Sequence, residues 1–137
     1  MNFVFNQMTA LRYFIPLIIE GNKRSIQSFF FIKECGKYNC VYTHLESLIE
    51  IAKKYNIRIH SLAEIDNFLL PEEPLFFIED HCLYECASIA NKKYVITSMT
   101  DFVATYNKPD DDIRPGVYIN YCDHVFMPSE FFAEYYD

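Results

Sequence analysis

The chain has 137 residues, enough for one domain that buries its own core without disulfide or metal staples. It is 51% hydrophobic and 18% aromatic with only 3 glycines, which excludes a disordered or low-complexity chain. A net charge of −7 repels phosphate backbones and anionic lipid surfaces, so nucleic acid is not an expected partner.

The first apolar run, Phe3-Val4-Phe5, reads as a short strand. After Met8-Thr9, the residues Leu11, Phe14, Ile15, Ile18 and Ile19 recur at helical spacing, with Thr9 as the N-cap. Pro16 removes a backbone donor inside that helix, and a buried strand over residues 13–19 is the alternative. The same stretch is the longest apolar run and is too short to span a bilayer. Lys23-Arg24 reads as the solvated end of the helix.

Residues 26–32 carry three consecutive phenylalanines and predict a strand buried on both faces, as in a parallel sheet covered by helices. Cys35-Gly36 ends it, and a polar loop follows through Tyr38 and Asn39. Thr43, with Glu46 three residues on, predicts a capping box. Leu45, Leu48, Ile49 and Ala52 then make one apolar face, and Lys53-Lys54 complement the helix C-terminus. Residues 57–62 alternate as a half-buried strand with His60 outward, and Pro71-Glu72-Glu73-Pro74 punctuates the way into a buried strand over 75–78. A short helix over 83–90, a strand over 94–98, a helical turn or two over 101–106 and an exposed loop over 107–116 follow. Near the end, a strand over 125–127 leads into Pro128-Ser129 as a helix start.

Strands alternating with helical segments predict βαβ units in a parallel sheet, that is, a single Rossmann-like α/β domain spanning residues 1–137. Ligands of such sheets bind beyond the carboxyl ends of the strands. That rule selects Asn6 and Gln7, the stretch from Lys33 to Tyr38, the stretch from Glu79 to Cys82, the stretch from Ser98 to Asp101, and Pro128-Ser129.

The densest polar cluster is Glu79-Asp80-His81-Cys82, with Glu85 and Cys86 just beyond. A histidine beside a carboxylate has the pKa range and the fixed tautomer of a general base. The structural alternative is a helix N-terminus whose free amides are met by Glu79 and Asp80. His81 with Cys82 and Cys86 offers too few ligands for zinc, and no metal site is expected. Cys82 as a thiol nucleophile requires a depressed pKa, and a buried structural cysteine is the alternative. Ser98-Met99-Thr100-Asp101 reads either as an N-cap cluster or as a site in which Asp101 accepts a proton from a sugar or polyol hydroxyl and Thr100 contacts the ligand. Tyr38 and Asn39, with Tyr42 nearby, offer an aromatic face and an amide suited to a polyol. His44, His60 and His124 stand isolated in the sequence.

Neither a G-x-G-x-x-G nor a G-x-x-x-x-G-K loop is present, so no self-contained nucleotide site of those kinds and no cofactor is expected. Five cysteines, Cys35, Cys40, Cys82, Cys86 and Cys122, make an odd set without a secretory leader pattern, which predicts a reducing, cytoplasmic location. The apolar stripe of the last helix, with Phe131, Phe132, Tyr135 and Tyr136, suggests a surface for self-association.

The end of the chain, Cys122-Asp-His-Val-Phe-Met-Pro-Ser-Glu-Phe-Phe-Ala-Glu-Tyr-Tyr136, resembles the segment that closes the N-terminal domain of GT-B glycosyltransferases, most nearly the CDP-glycerol glycerophosphotransferase-like group. The opening strand, the helix with Pro16, the Lys23-Arg24 end and the strand over 26–32 are similar to the first βαβ unit of that fold. The resemblance implies an acceptor-side domain for sugar or glycerophosphate transfer. A nucleotide-linked donor would be held by a second domain, and the catalytic site would lie in the cleft between the two. It implies His81 or Asp101 as base, with Tyr38, Asn39, Glu79, Asp80, Thr100 and Ser129 toward the substrate. Where the group carries a Trp-His-Gly-Thr-Pro type motif, this chain reads Ser98-Met99-Thr100-Asp101, without Trp, His or Gly, and Asp101 is the residue there that could stand in as base. The alternative is a non-catalytic interaction or oligomerisation module that retains the fold.

Overall fold

A computed structural model of the chain describes residues 1–34, 40–79, 81–97 and 121–126. The described residues form six strands: β1 (Asn2–Phe5), β2 (Ser28–Ile32), β3 (Ile57–Ser61), β4 (Leu75–Ile78), β5 (Lys93–Ile96) and β6 (His124–Phe126). They also form two α-helices, α1 (Leu11–Lys23) and α2 (Leu45–Tyr55), with short 3-10 segments between elements. Every strand pair is parallel, in the order β3-β2-β1-β4-β5-β6. This is the Rossmann-like α/β fold that the alternation of strands and helices predicts.

β1 is short and buried along its whole length: its three apolar residues face two different layers, and the Asn2 amide donates to Glu73 and to the Pro74 carbonyl. Phe3 and Phe5 point to the layer built by Phe14 and Ile18 of α1, Leu48 and Ala52 of α2, and Phe30 of β2. Val4 points to the opposite layer, with Phe31, Leu75, Phe77 and Val95 under Ile65, Leu83 and Cys86 of the 3-10 segments. The period-2 alternation of a strand thus splits one phenylalanine-rich sequence between two cores. On the helical side the rings pack edge-on: Phe5 meets Phe30 at 4.9 Å and 86°, and Phe3 sits 4.8 Å from Phe14.

The chain runs from β1 outward through β2 to β3. It then returns to the other side of β1 to lay down β4, β5 and β6. The loops after β1 and β4 therefore leave neighbouring strands in opposite directions, which opens a crevice at the carboxyl edge of the sheet.

Several local expectations are corrected. Residues 13–19 are helical, not a strand, and Pro16 is accommodated within α1 on its exposed side. Thr9 is not an N-cap: it lies inside the 3-10 turn Met8–Ala10, and the residue before α1 is Ala10. The Thr43–Glu46 capping box gives way to a 3-10 turn, Val41–His44, in which the Thr43 hydroxyl donates to the Cys40 carbonyl at 2.7 Å. α2 consequently starts at Leu45, one residue later than a Thr43 N-cap implies, and Leu45 and Ile49 stay 37% and 39% exposed while Leu48 and Ala52 are buried. β2 begins at Ser28, leaving Ile26 exposed. The helix expected over 83–90 is only the 3-10 turn Tyr84–Cys86. The strand near the end is β6, an edge strand among the described residues, and Phe126 on it is 51% exposed. Lys23 and Arg24 do form a solvated helix end, both pairing with Glu20.

Among the described residues no helix is long and apolar enough to cross a membrane. The expected helical turn at 101–106, the loop at 107–116 and the final aromatic helix lie outside the described residues.

Phe3 touches Phe14, Phe30 and Phe76 with no exposure, so truncating it leaves a large cavity at the centre of the helical core. Phe3→Ala is expected to cost about 3–5 kcal/mol. Urea unfolding should show a lower midpoint with an unchanged slope, whereas an unchanged midpoint would mean that Phe3 is not central to the core.

Candidate functional site

All six strands end at one edge, and at that edge the sequence changes from phenylalanine and isoleucine to charged and polar residues. β1 is followed by Asn6 and Gln7. The Asn6 carbonyl accepts from the Val41 amide at 3.0 Å, and Gln7 forms an antiparallel bridge with Cys40. These contacts tie the start of the α2 approach to the end of the central strand.

β4 is followed by a tight turn. The Glu79 amide donates to the Ile96 carbonyl at 2.9 Å, which continues the ladder one step past the strand, and the His81 amide donates to the Ile78 carbonyl at 3.1 Å. Glu79 and Cys82 adopt left-handed backbone, with φ of 51° and 61°. A non-glycine residue there costs about 1–2 kcal/mol, and such strain gathers where a side chain must be aimed. The turn brings His81 and Glu79 together, with Nε2 of the imidazole 3.8 Å from a carboxylate oxygen and both side chains mostly buried. His81 Nδ1 is buried with no hydrogen-bond partner among the described residues. A carboxylate facing Nε2 favours the tautomer that carries its proton there, which leaves the lone pair on Nδ1.

The loop continues from His81 to Glu85 and Cys86, which form one wall of a cleft of about 400 Å³. Ile32, Lys33 and Glu34 at the end of β2 and Ser61 and Leu62 at the end of β3 form its other side, with Tyr42 at the margin. The floor is apolar, from Ile65, Cys86 and Ile89, and the polar groups sit above it. Lys33 and Glu85 form an ion pair across the cleft. The hydrogen bond that Lys33 donates to the Glu85 carboxylate holds the ammonium above its ordinary pKa against a smaller effect of burial. For Glu85, partial burial pulls the carboxyl upward, yet the bonds from Lys33 and from its own backbone outweigh it, and the net direction is down. The pair therefore stays charged through neutral pH.

Cys86 lies beneath this pair, almost wholly buried, and its thiol is pushed up to about 11 by burial and then by the Glu85 carboxylate. Such a thiol is not a nucleophile at neutral pH. Cys82 is likewise buried, in the place expected of a structural cysteine. Cys40, Cys82 and Cys86 are buried, and Cys122 is half-buried. Among the described residues no three His, Cys, Asp or Glu side chains gather to hold a metal ion.

Of the residues selected from the sequence, Glu79 and His81 are brought into contact as a pair at the end of β4. Tyr38, Asn39, Asp80, Thr100, Asp101 and Ser129 lie outside the described residues. The helix-start alternative for Glu79 does not hold, because no helix follows and its backbone is left-handed. Lys33 and Glu85 were not singled out as a pair in the sequence: 52 positions separate them, and only the parallel topology brings them together. His60 lies on the face of β3 opposite Ile57 and Ile59, as the alternation predicts, but it is half-buried there rather than exposed. Its ring stacks 3.7 Å from Phe68 and 5.8 Å from Phe31, and its Nε2 has no hydrogen-bond partner among the described residues. Comparison with family models, curated proteins and solved structures finds no match to this chain.

Two measurements test this geometry. Glycine adopts left-handed backbone without strain, so Glu79→Gly is expected to leave stability unchanged or raise it by up to about 1 kcal/mol. A loss of that size instead would mean that the Glu79 side chain holds the turn together. Cys86 has a folded pKa raised above its ordinary value near 9, so its contribution is complete below pH 9 and is lost as pH rises toward 11. The loss amounts to about 2–3 kcal/mol at 1.36 kcal/mol per pKa unit. Stability measured from pH 8 to 11 should fall less steeply in Cys86→Ala than in the unsubstituted protein, and parallel curves would refute the assignment.

Proposed function

We propose that this domain is the acceptor side of a GT-B-like transferase, binding a sugar or polyol at the carboxyl edge of its sheet and presenting one hydroxyl to His81. The observation that carries this reading is the Glu79–His81 pair at the end of β4, beside the reversal between β1 and β4. Crevices at such reversals are where open parallel sheets hold ligands. A histidine oriented by a carboxylate is the residue type that removes a proton from a hydroxyl at neutral pH.

In this reading the acceptor lies in the cleft walled by Lys33 and Glu85. The loop that forms the wall also carries His81 at its start. The His81 imidazole, reached from the cleft along that loop, accepts the hydroxyl proton as the oxygen bonds to the transferred sugar carbon or phosphorus, and the bond from that atom to the nucleotide leaving group breaks. Glu79 stabilises the imidazolium that forms. The nucleotide-linked donor is held by a second domain or partner, in keeping with the absence of a glycine-rich phosphate loop from this sequence. Asp101, which lies in the stretch that stands where the family carries its motif, is the second candidate for the same proton.

Glucose and glycerol are the first acceptors to try, followed by thermal shift and by the imidazole resonances of His81. A saturating acceptor at a hundredfold its Kd should stabilise the native state by about 2.7 kcal/mol and shift the His81 signals. His81→Gln should weaken that binding by roughly 3- to 10-fold, the worth of one hydrogen bond. If no acceptor stabilises the protein, or if binding leaves the His81 signals untouched, the reading fails.

A further inference from the structure

The geometry points to an acceptor that is a hydroxylated ring without phosphate, uncharged or carrying an amine, seated between the Lys33–Glu85 pair and the apolar floor of the cleft. This inference rests on the acceptor reading above and narrows it, because the family resemblance alone admits glycerophosphate as well as sugar.

The argument begins with charge. The described lining residues that carry charge are Lys33, Glu34 and Glu85. The only cation among them, Lys33, is already neutralised by Glu85, and Glu34 remains as an exposed carboxylate beside it. A phosphate entering here must either break the ion pair or sit against two carboxylates, and the whole protein, at −7, adds to the repulsion. An ammonium meets the opposite field and has two carboxylates to accept its hydrogen bonds.

Shape gives the second part. A cleft of about 400 Å³ falls within the range of small-molecule sites and is several times too small for a peptide or a polymer to be enclosed. Its floor of Ile65, Cys86 and Ile89 suits the apolar face of a ring, and Tyr42, exposed at the margin, offers an aromatic surface for the same purpose. Carboxylates above an apolar floor accept hydrogen bonds from hydroxyls that are held in the plane of the ring. An acyclic apolar ligand would use the floor alone and gain no hydrogen bond with the carboxylates above it.

The test compares glucose, glucosamine, glucose 6-phosphate and glycerol 3-phosphate at equal concentration by thermal shift and by ligand-observed NMR. Glucosamine and glucose should bind saturably, glucosamine roughly tenfold more tightly through one charged hydrogen bond, and the two phosphates should not compete. Glu85→Gln should reduce the preference for glucosamine, and Lys33→Ala should increase it; both side chains are substantially exposed, so both variants are expected to fold, as far-UV circular dichroism will verify. Binding of a phosphorylated ligand as tightly as glucose overturns the inference and leaves the acceptor reading standing. Selective binding that neither Glu85→Gln nor Lys33→Ala alters overturns the placement in this cleft. Binding of none of the four overturns both.

Discussion

The burial of β1 on both faces is the constraint from which the rest of the architecture follows. Phe3, Val4 and Phe5, in the middle of a parallel sheet, must find apolar partners above and below, and a single layer of helices cannot provide them. The chain meets this by covering one face on the way out, with α1 and α2 packed on Phe3 and Phe5. It covers the other face on the way back, with the segments around Ile65 and Leu83 packed on Val4, Phe31 and Phe77. Covering both faces of one sheet requires the chain to reverse direction beside its first strand. That reversal leaves a crevice at the carboxyl edge, so the position of the candidate site is a consequence of how the core is closed.

The two faces are not covered alike. α1 and α2 are regular helices whose apolar stripes match the phenylalanines below them, whereas the opposite face lies under short 3-10 turns. A 3-10 turn satisfies fewer backbone groups per residue than a helix and follows an irregular path. On that side the loop from Glu79 to Cys86 bends twice through left-handed residues and passes from the end of β4 to the cleft wall within eight residues. One loop thus carries the base candidate and one half of the ion pair, because it was not straightened into a helix.

The fold was largely legible in the sequence, and the reason is the composition and punctuation of its short runs. The phenylalanines of β2, the alternation of β3 and the apolar stretch of β4 behind Pro71 and Pro74 are aromatic or β-branched runs set off by turn residues, which favours strands over buried helix. Termini were less legible because they depend on competing local hydrogen bonds. Thr43 has the spacing of a capping box, but its hydroxyl goes to Cys40, whose position is fixed by the bridge to Gln7, a contact between residues that are 33 apart and invisible to a local pattern. His60 shows a different limit. Alternation placed it on the outer face of its strand, yet that face lies under Phe68, so outward and exposed are not the same thing. At the site, Glu79 and His81 were legible because they are adjacent in sequence and follow a strand. The Lys33–Glu85 pair was not, because only register between distant strands creates it.

The precision of the base depends on what holds its backbone. His81 follows a strand end rather than sitting on a helix or a long loop: the Glu79 amide donates to Ile96 and extends the sheet ladder one step, and the His81 amide closes a turn onto Ile78. β4 and β5 are themselves locked against the buried β1. A side chain hung just beyond such a ladder inherits the rigidity of the sheet, and the left-handed residues at Glu79 and Cys82 fix the direction in which it leaves. The cost of that conformation is borne by the core, whose aromatic packing greatly exceeds what two strained residues take away. A ligand that binds here therefore meets a histidine whose backbone is already in position, and the adaptable element is the exposed pair across the cleft, Lys33 and Glu85, rather than the turn after β4.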